Sequence, residues 1–343
     1  MMVNETHMRR EILEIPRAAD RLLTEGRDAT KRAANALREA DPAFLVSVAR
    51  GSSDHAATYL KYASELMAGL PVASVGPSVA SVYNKRLRLA RGACLAISQS
   101  GKSPDIVRMA RMATEEGALT IALTNHPDSD LAAETTHALD LNAGPEQSVA
   151  ATKTFVNSAL AGLWLLAEWH QDSAVLRAIR DLPEVLDRAT RQDWSELATA
   201  VTDQPSLFCL GRGPSYAMSN EAALKFKETC QVHAESYSSA EVLHGPVSIV
   251  ETGFPVIGLA AADAAEEALV TVADALASKG AHVFVTSGRA KGATVLPVAR
   301  TGHPLTDPLS LIVSFYAMVE QVARARGVDP DAPRHLRKVT ETV

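Results

Sequence analysis

Hydrophobic positions along this chain alternate between two spacings. Apolar runs of strand length at 44–48, 72–75, 93–97, 118–123 and 138–141 are separated by stretches of helical spacing. That alternation predicts an α/β fold built on a doubly wound, mostly parallel sheet flanked by helices. Residues 4–40 read as helix with Arg and Glu faces, broken at Pro16 and Gly26. A helical run from Thr152 to Trp169 and a polar helical connector at 173–203 follow, and strand–helix alternation restarts at Leu207. The expected organisation is therefore a helical segment at 1–40, a first α/β domain at 41–172, the connector at 173–203, a second domain at 204–326 and a tail at 327–343.

The restart is a repeat. Arg50-Gly51-Ser52-Ser53 follows the first strand of the first half, and Arg212-Gly213-Pro214-Ser215 follows that of the second, an offset of 162 residues. The same offset carries Ile97 onto Leu259 and Thr124 onto Thr286. After the third strand the halves diverge. The first has Ser98-Gln99-Ser100-Gly101-Lys102-Ser103-Pro104, and the second has Ala260-Ala261-Ala262-Asp263. Loops at the carboxyl ends of strands hold the ligand in doubly wound sheets. A Ser-rich loop opening a helix offers hydroxyls, N–H groups and the helix N-terminus to a phosphate dianion. One phosphate site per chain is expected, in the first half; the plain alternative is a polar loop with an ordinary Ser cap.

The densest ionisable segment is Lys225 to Pro246, KFKETCQVHAESYSSAEVLHGP, set between an apolar helical run and the strand-like run Val247 to Val250. On a helix, Lys225 and Glu228 share one face. His244 precedes Gly-Pro and should end a turn, pointing from a loop. A carboxylate beside a Lys with a His nearby suits proton transfer between adjacent carbons of a sugar. An exposed ion pair and a surface His give the same pattern, so the residues alone leave both readings open.

Composition narrows the class. At 343 residues the chain has material for about two domains, and 47% hydrophobic with 22% charged residues is an ordinary globular mix. A net charge of −6 argues against a general nucleic-acid binder, though a local site on an acidic protein can still be electropositive. Three cysteines make an odd count without metal spacing. Cys94 and Cys209 fall in apolar strand-like runs and read as buried free thiols in a reducing compartment. The charged first thirty residues lack the apolar core of a signal peptide, and the longest apolar run, Ala159 to Ala167, is too short for a bilayer. A cytoplasmic protein without membrane attachment is expected. No ligand-spaced cluster calls for a metal, and Gly211-Arg212-Gly213 lacks the third glycine of a dinucleotide fingerprint, so no cofactor is expected.

The strings ALKFKE, HAESY and HGP, in that order, resemble the sugar-isomerising half of glutamine–fructose-6-phosphate aminotransferase (glucosamine-6-phosphate synthase) and its stand-alone relatives, such as the SIS-type glucosamine-6-phosphate deaminases. All are built from paired sugar-isomerase (SIS) domains. The resemblance runs from about Thr6 to the C-terminus, and HMRREILEIP is similar to the segment with which the synthase enters its isomerase half. It implies that Ser98, Gln99, Ser100 and Ser103 hold phosphate together with Ser53. It implies further that Gly51, Ser52, Val149, Ala150 and Ala151 contact the sugar. By the same likeness His244 opens the ring and serves the neighbouring chain of a homodimer, while Glu228 moves the proton with Lys225 in support. Pro333-Arg334-His335-Leu336-Arg337-Lys338 is similar to the family's Pro-Arg-Asn-Leu-Ala-Lys, whose Lys reaches the open-chain sugar. Read alone, that stretch is a basic, solvated terminus. Three departures from the family bear on the sugar: Arg50 stands for a Cys, Lys102 for a Glu and Ala151 for a Ser, while Ser103 stands where the synthase has a Thr. The synthase's glutaminase half uses an N-terminal Cys; this chain opens Met1-Met2-Val3, so glutamine hydrolysis by that route is not expected.

Two function classes follow. One is an enzyme on an amino-hexose 6-phosphate, first of all converting glucosamine 6-phosphate to fructose 6-phosphate and ammonia. A deglycase or aminotransferase for a related fructosamine or galactosamine 6-phosphate is the variant within that class. The other is a non-catalytic phosphosugar sensor. A sensor needs the Ser loop but not Glu228, His244 and Lys338 together, which favours the enzyme. A transcriptional sensor would also need a helix-turn-helix, and the N-terminal helices show neither its short Gly turn nor a basic recognition face.

Overall fold

The structure is a computed structural model describing residues 5–338. Residues 1–4 of the expected helical segment and 339–343 of the expected tail lie outside it.

The N-terminal helices are α1 (His7–Glu25) and α2 (Arg27–Ala40). Met8, Ile12, Ile15, Ala19 and Leu22 recur at helical spacing on the buried face of α1. The expected break at Pro16 does not occur, because Pro16 lies inside a continuous helix. One lost backbone bond is outweighed where apolar residues on both sides stay buried. The chain breaks at Gly26, as expected.

The first sheet unit follows, with β1 (Phe44–Val48), α3 (Ser52–Ala68), β2 (Val72–Ser74), α4 (Ser78–Ser81), β3 (Gly92–Ile97), α5 (Pro104–Glu115), β4 (Leu119–Thr124), α6 (Asp130–Ala133), β5 (His137–Asp140) and α7 (Lys153–His170). Its five strands are parallel in the order β2-β1-β3-β4-β5. Val46, Val48, Cys94, Ala96 and Ala122 face α5 in one core cluster, while the alternate residues Leu45, Leu95, Ile121 and Leu123 are equally buried. Burial on both faces explains why the central strands β1, β3 and β4 read as largely apolar runs rather than as alternating ones.

Two further helices, α8 (Ser173–Ala189) and α9 (Ser195–Thr202), lead to the second sheet unit. Its elements are β6 (Ser206–Gly211), α10 (Pro214–Lys225), β7 (His233–Ser238), β8 (Pro255–Gly258), α11 (Glu266–Ser278), β9 (His282–Val285), β10 (Thr294–Val295) and α12 (Asp307–Ala325). The parallel order β10-β9-β8-β6-β7 is the first sheet's order read from the other edge. Even the loop after the first strand repeats. Gly51 sits at φ 55, ψ −133 and Gly213 at φ 58, ψ −139, a conformation that favours glycine.

The run Val247 to Val250 is not a strand. Pro246–Ile249 forms a single 3₁₀ turn with Ile249 exposed. Pro246 has no N–H for a ladder, and Gly245 at φ 147 turns the chain before it.

The described residues divide into two compact units, one of 17–146, 153–180 and 337–338, the other of 5–16, 147–152 and 181–336. Cys94, Cys209 and Cys230 are all buried and free, as expected for the first two. Burial pushes the Cys94 and Cys230 thiols up to about 12. No helix among the described residues is long and apolar enough to cross a membrane.

Candidate active site

In the first sheet unit the strand order reverses between β1 and β3, and the loops after those two strands carry the expected phosphate ligands. Gly51 caps α3, so Ser52 and Ser53 occupy its first turn. Ser103 caps α5, with Pro104 in the first turn, and the Ser103 side chain makes no capping bond of its own. Between them Ser98 Oγ accepts the Gly101 N–H at 3.2 Å, and Ser100 Oγ accepts that of Lys102 at 3.3 Å. Gly101 lies at φ 62, and a Cβ there would fall 2.0 Å from Ser129 Oγ, so the loop's path depends on glycine. Two helix N-termini and a hydroxyl-rich loop thus open at the carboxyl end of the sheet, a setting that suits a dianion.

Of the two extra positive charges, one is engaged by the protein itself. Arg50 Nε and Nη2 lie 2.6 and 2.5 Å from Oδ2 of the buried Asp105 in the first turn of α5. Arg50 therefore ties the end of β1 to the start of α5, on either side of the Ser98–Ser103 loop. Lys102 is exposed and lines a cavity of about 610 Å³ together with Gln99, Ser100, His126, Glu146 and Lys338.

The twin loop of the second unit is closed by its own carboxylates. Asp307 accepts the Ala262 N–H at 2.9 Å and is paired with Arg300, which also donates to Ala260 O at 3.0 Å. Asp263 accepts the Ala265 N–H at 2.8 Å, and burial raises its carboxyl above the usual range.

The second unit carries a buried charge cluster. At the end of α10 the helix widens into a π turn, Phe226–Cys230, closed by Gln231 in the left-handed region. Lys225 Nζ lies 2.6 Å from Glu228 Oε2 and 3.1 Å from Glu221 Oε1. Tyr316 of α12 donates its hydroxyl to Glu221 Oε1 at 2.9 Å. Lys225 and Glu221 are fully buried, whereas the Glu228 side chain is 21% exposed. The pair is thus not the exposed surface pair that the residues alone left open. Burial pulls the Lys225 pKa down, but the two carboxylates outweigh it and hold the ammonium charged. Two carboxylates share one ammonium, and Glu228 is the acid of the pair that reaches solvent. Its Oε1 makes no hydrogen bond among the described residues.

Sequence reasoning missed Glu221, though its position four residues before Lys225 was a usable signal. Tyr316, 91 residues after Lys225, gave none.

The other expected residues are placed as follows. His244 ends a 3₁₀ turn, Glu241–His244, as expected; it is exposed and makes no hydrogen bond to Lys225 or Glu228. Val149 donates its N–H to Asp331 O at 3.2 Å, Ala150 is buried and Ala151 is half-buried. Asp331 also caps α1, accepting the His7 and Met8 N–H groups at 2.7 Å each. The start of the tail is therefore anchored. At its last described residue Lys338 Nζ lies 2.8 Å from Glu146 Oε2. The solvated-terminus alternative does not hold for Lys338, and Glu146 is a further residue that sequence reasoning did not single out.

The SIS domain model matches residues 36–168 and 200–293, and the chain belongs to the SIS domain family. It is 31% identical over 346 residues to glutamine–fructose-6-phosphate aminotransferase [isomerizing] of Sulfurisphaera tokodaii, covering 96% of this chain and 56% of the relative. The Halobacterium salinarum enzyme of the same name is 35% identical over 316 residues, covering 86% and 51%. The chain spans about half the length of these curated relatives and is homologous to their isomerase half. A Silicibacter pomeroyi crystal structure described as a candidate phosphosugar isomerase is 64% identical, with a TM-score of 0.93 over 95% of this chain and 100% of that one. The C-terminal domain of glucosamine-fructose-6-phosphate aminotransferase from Francisella tularensis shares the fold, with a TM-score of 0.83 at 23% identity over 96% of this chain and 99% of that one.

Proposed function

We propose that this protein is a phosphosugar enzyme that converts glucosamine 6-phosphate and water to fructose 6-phosphate and ammonia. The observation that carries the reading is the Glu221–Lys225–Glu228 cluster. A binding module gains nothing from a buried ammonium clamped against a half-open carboxylate, whereas an isomerase needs a base and a fixed positive charge beside it. Ser53 and the loop Ser98 to Ser103 hold the phosphate, and the 51–52 and 149–151 stretches contact the sugar. His244 opens the ring. Glu228 takes the C2 proton of the open aldehyde and returns it to C1, giving a 2-imino ketose. Lys225 offsets the enediol-like charge in between. Lys338 adds to C2 of that imine and expels its nitrogen as ammonia, and water then hydrolyses the lysine Schiff base to free the ketose. Amination uses the same groups in reverse; deamination is preferred because its only co-substrate is water.

Glucosamine 6-phosphate should be turned over and unphosphorylated glucosamine should not. The double variant Ser98→Ala, Ser100→Ala should raise KM with kcat little changed, since phosphate contacts act before and during the transition state alike. Each lost hydrogen bond to the dianion corresponds to about 1.5–3 kcal/mol. Unaltered binding of inorganic phosphate by that variant would move the cradle elsewhere.

We further propose a homodimer in which His244 serves the partner's site, a reading supported by the exposure of His244. Mixing inactive Glu228→Gln chains with inactive His244→Ala chains should restore activity, because one site of each heterodimer carries neither change. Proven subunit exchange without recovery would put both residues in the same chain's site.

A further inference from the structure

Glu146 sits on the loop after β5 with its side chain fully buried. Three side chains fix that loop by its backbone. Arg21 donates to Asn142 O at 3.2 Å and Ala143 O at 2.9 Å. Asn125 donates to Gly144 O at 2.9 Å and accepts the Ala143 N–H at 2.9 Å. Lys153, itself buried, donates to Pro145 O at 2.6 Å. The carboxylate is fixed as well, accepting the Thr154 hydroxyl at 2.7 Å and the Thr154 N–H at 3.2 Å. Onto this rigid acid comes Lys338, whose side chain is 26% exposed and which follows four exposed residues, Arg334 to Arg337. Both groups border the cavity that Gln99, Ser100 and Lys102 also line. A buried carboxylate held this firmly is a preformed receiver for an amine arriving on a chain end.

We propose that Glu146 docks Lys338 and carries protons between its amine and the oxygen of the sugar carbonyl. The inference rests on the reading of Lys338 as the condensing amine. An ammonium cannot attack a carbonyl, so the ion pair must first pass its shared proton to Glu146, leaving a neutral amine and a neutral carboxylic acid. The nitrogen lone pair then bonds to C2 of open-chain fructose 6-phosphate, and the C=O electrons move to oxygen, which Glu146 protonates. Glu146 takes a second proton from nitrogen and returns it to the same oxygen, which leaves as water. Two of the three ammonium protons depart with that water, and the third remains on the iminium nitrogen. Glu146 ends as the carboxylate it began as. Thr154 holds the carboxylate by its hydroxyl throughout and is a positioning residue.

The test is reductive trapping. The wild-type protein is incubated with fructose 6-phosphate and borohydride, and the adduct is followed over time by intact mass and located by peptide mapping. The adduct should fall on Lys338 and vanish in Lys338→Met. Glu146→Gln keeps the shape and removes the proton carrier, so trapping should slow about 10²-fold or more, with binding of inorganic phosphate unchanged. Glu146→Asp, which keeps the acid one methylene short, should recover part of the rate and decides the matter if the Gln variant fails to fold. Trapping by Glu146→Gln or Glu146→Asp at the wild-type rate overturns the role of Glu146 alone. A wild-type protein that forms no adduct overturns the role of Lys338, and that of Glu146 with it.

Discussion

Glu228→Gln is expected to lower kcat by about 10²–10⁴-fold, the usual range for a positioned general base, while leaving KM nearly unchanged. The amide matches the carboxylate in size and can still accept from Lys225 Nζ, now 2.6 Å from Oε2. It cannot accept a carbon-bound proton. Sugar-phosphate affinity should persist because the proposed phosphate ligands lie on the 53 and 98–103 loops, not on this turn. The decisive readout is exchange of the C2 proton with solvent deuterium, which isolates the proton-transfer step. A variant that keeps most of its kcat and its exchange rate would show that another group is the base.

Lys225→Met should destabilise the fold by about 3–5 kcal/mol, the range seen when one partner of a buried ion pair is removed. Glu221 would then be fully buried with Tyr316 as its remaining hydrogen-bond donor from this cluster. The loss should appear in urea unfolding as a lower midpoint with an unchanged slope. Glu221→Leu in the same chain should restore much of the stability, since removing both charges spares the uncompensated one. Activity should not return with stability, because Glu228 would still lack its ammonium. A loss below about 1 kcal/mol, the scale of exposed pairs, would mean that the cluster is far better hydrated than its burial implies.

The strand positions, the parallel sheets and the repeat were legible because the strands of the first half are short, mostly apolar runs between turn residues. The left-handed glycines after β1 and β6 marked the two halves in register. Pro16 misled because propensity is local, whereas the buried face through Met8, Ile12, Ile15 and Ala19 is a tertiary fact. Val247 to Val250 misled for the opposite reason. Its apolar residues suggested a strand, but Gly245-Pro246 had already fixed a turn. The Ser loop and the Lys225–Glu228 pairing could be read from local spacing. Burial of that pair could not, because it depends on α12 supplying Tyr316 from far along the chain. Glu146 was hidden likewise, since its partner Lys338 lies 192 residues away.

The most direct test of the account is to supply purified protein with glucosamine 6-phosphate and follow ammonia and fructose 6-phosphate in parallel with binding. The account predicts that both products appear in equal amounts and that both are lost in Glu228→Gln. Tight binding of the sugar phosphate with neither product formed would contradict it and make the protein a sensor.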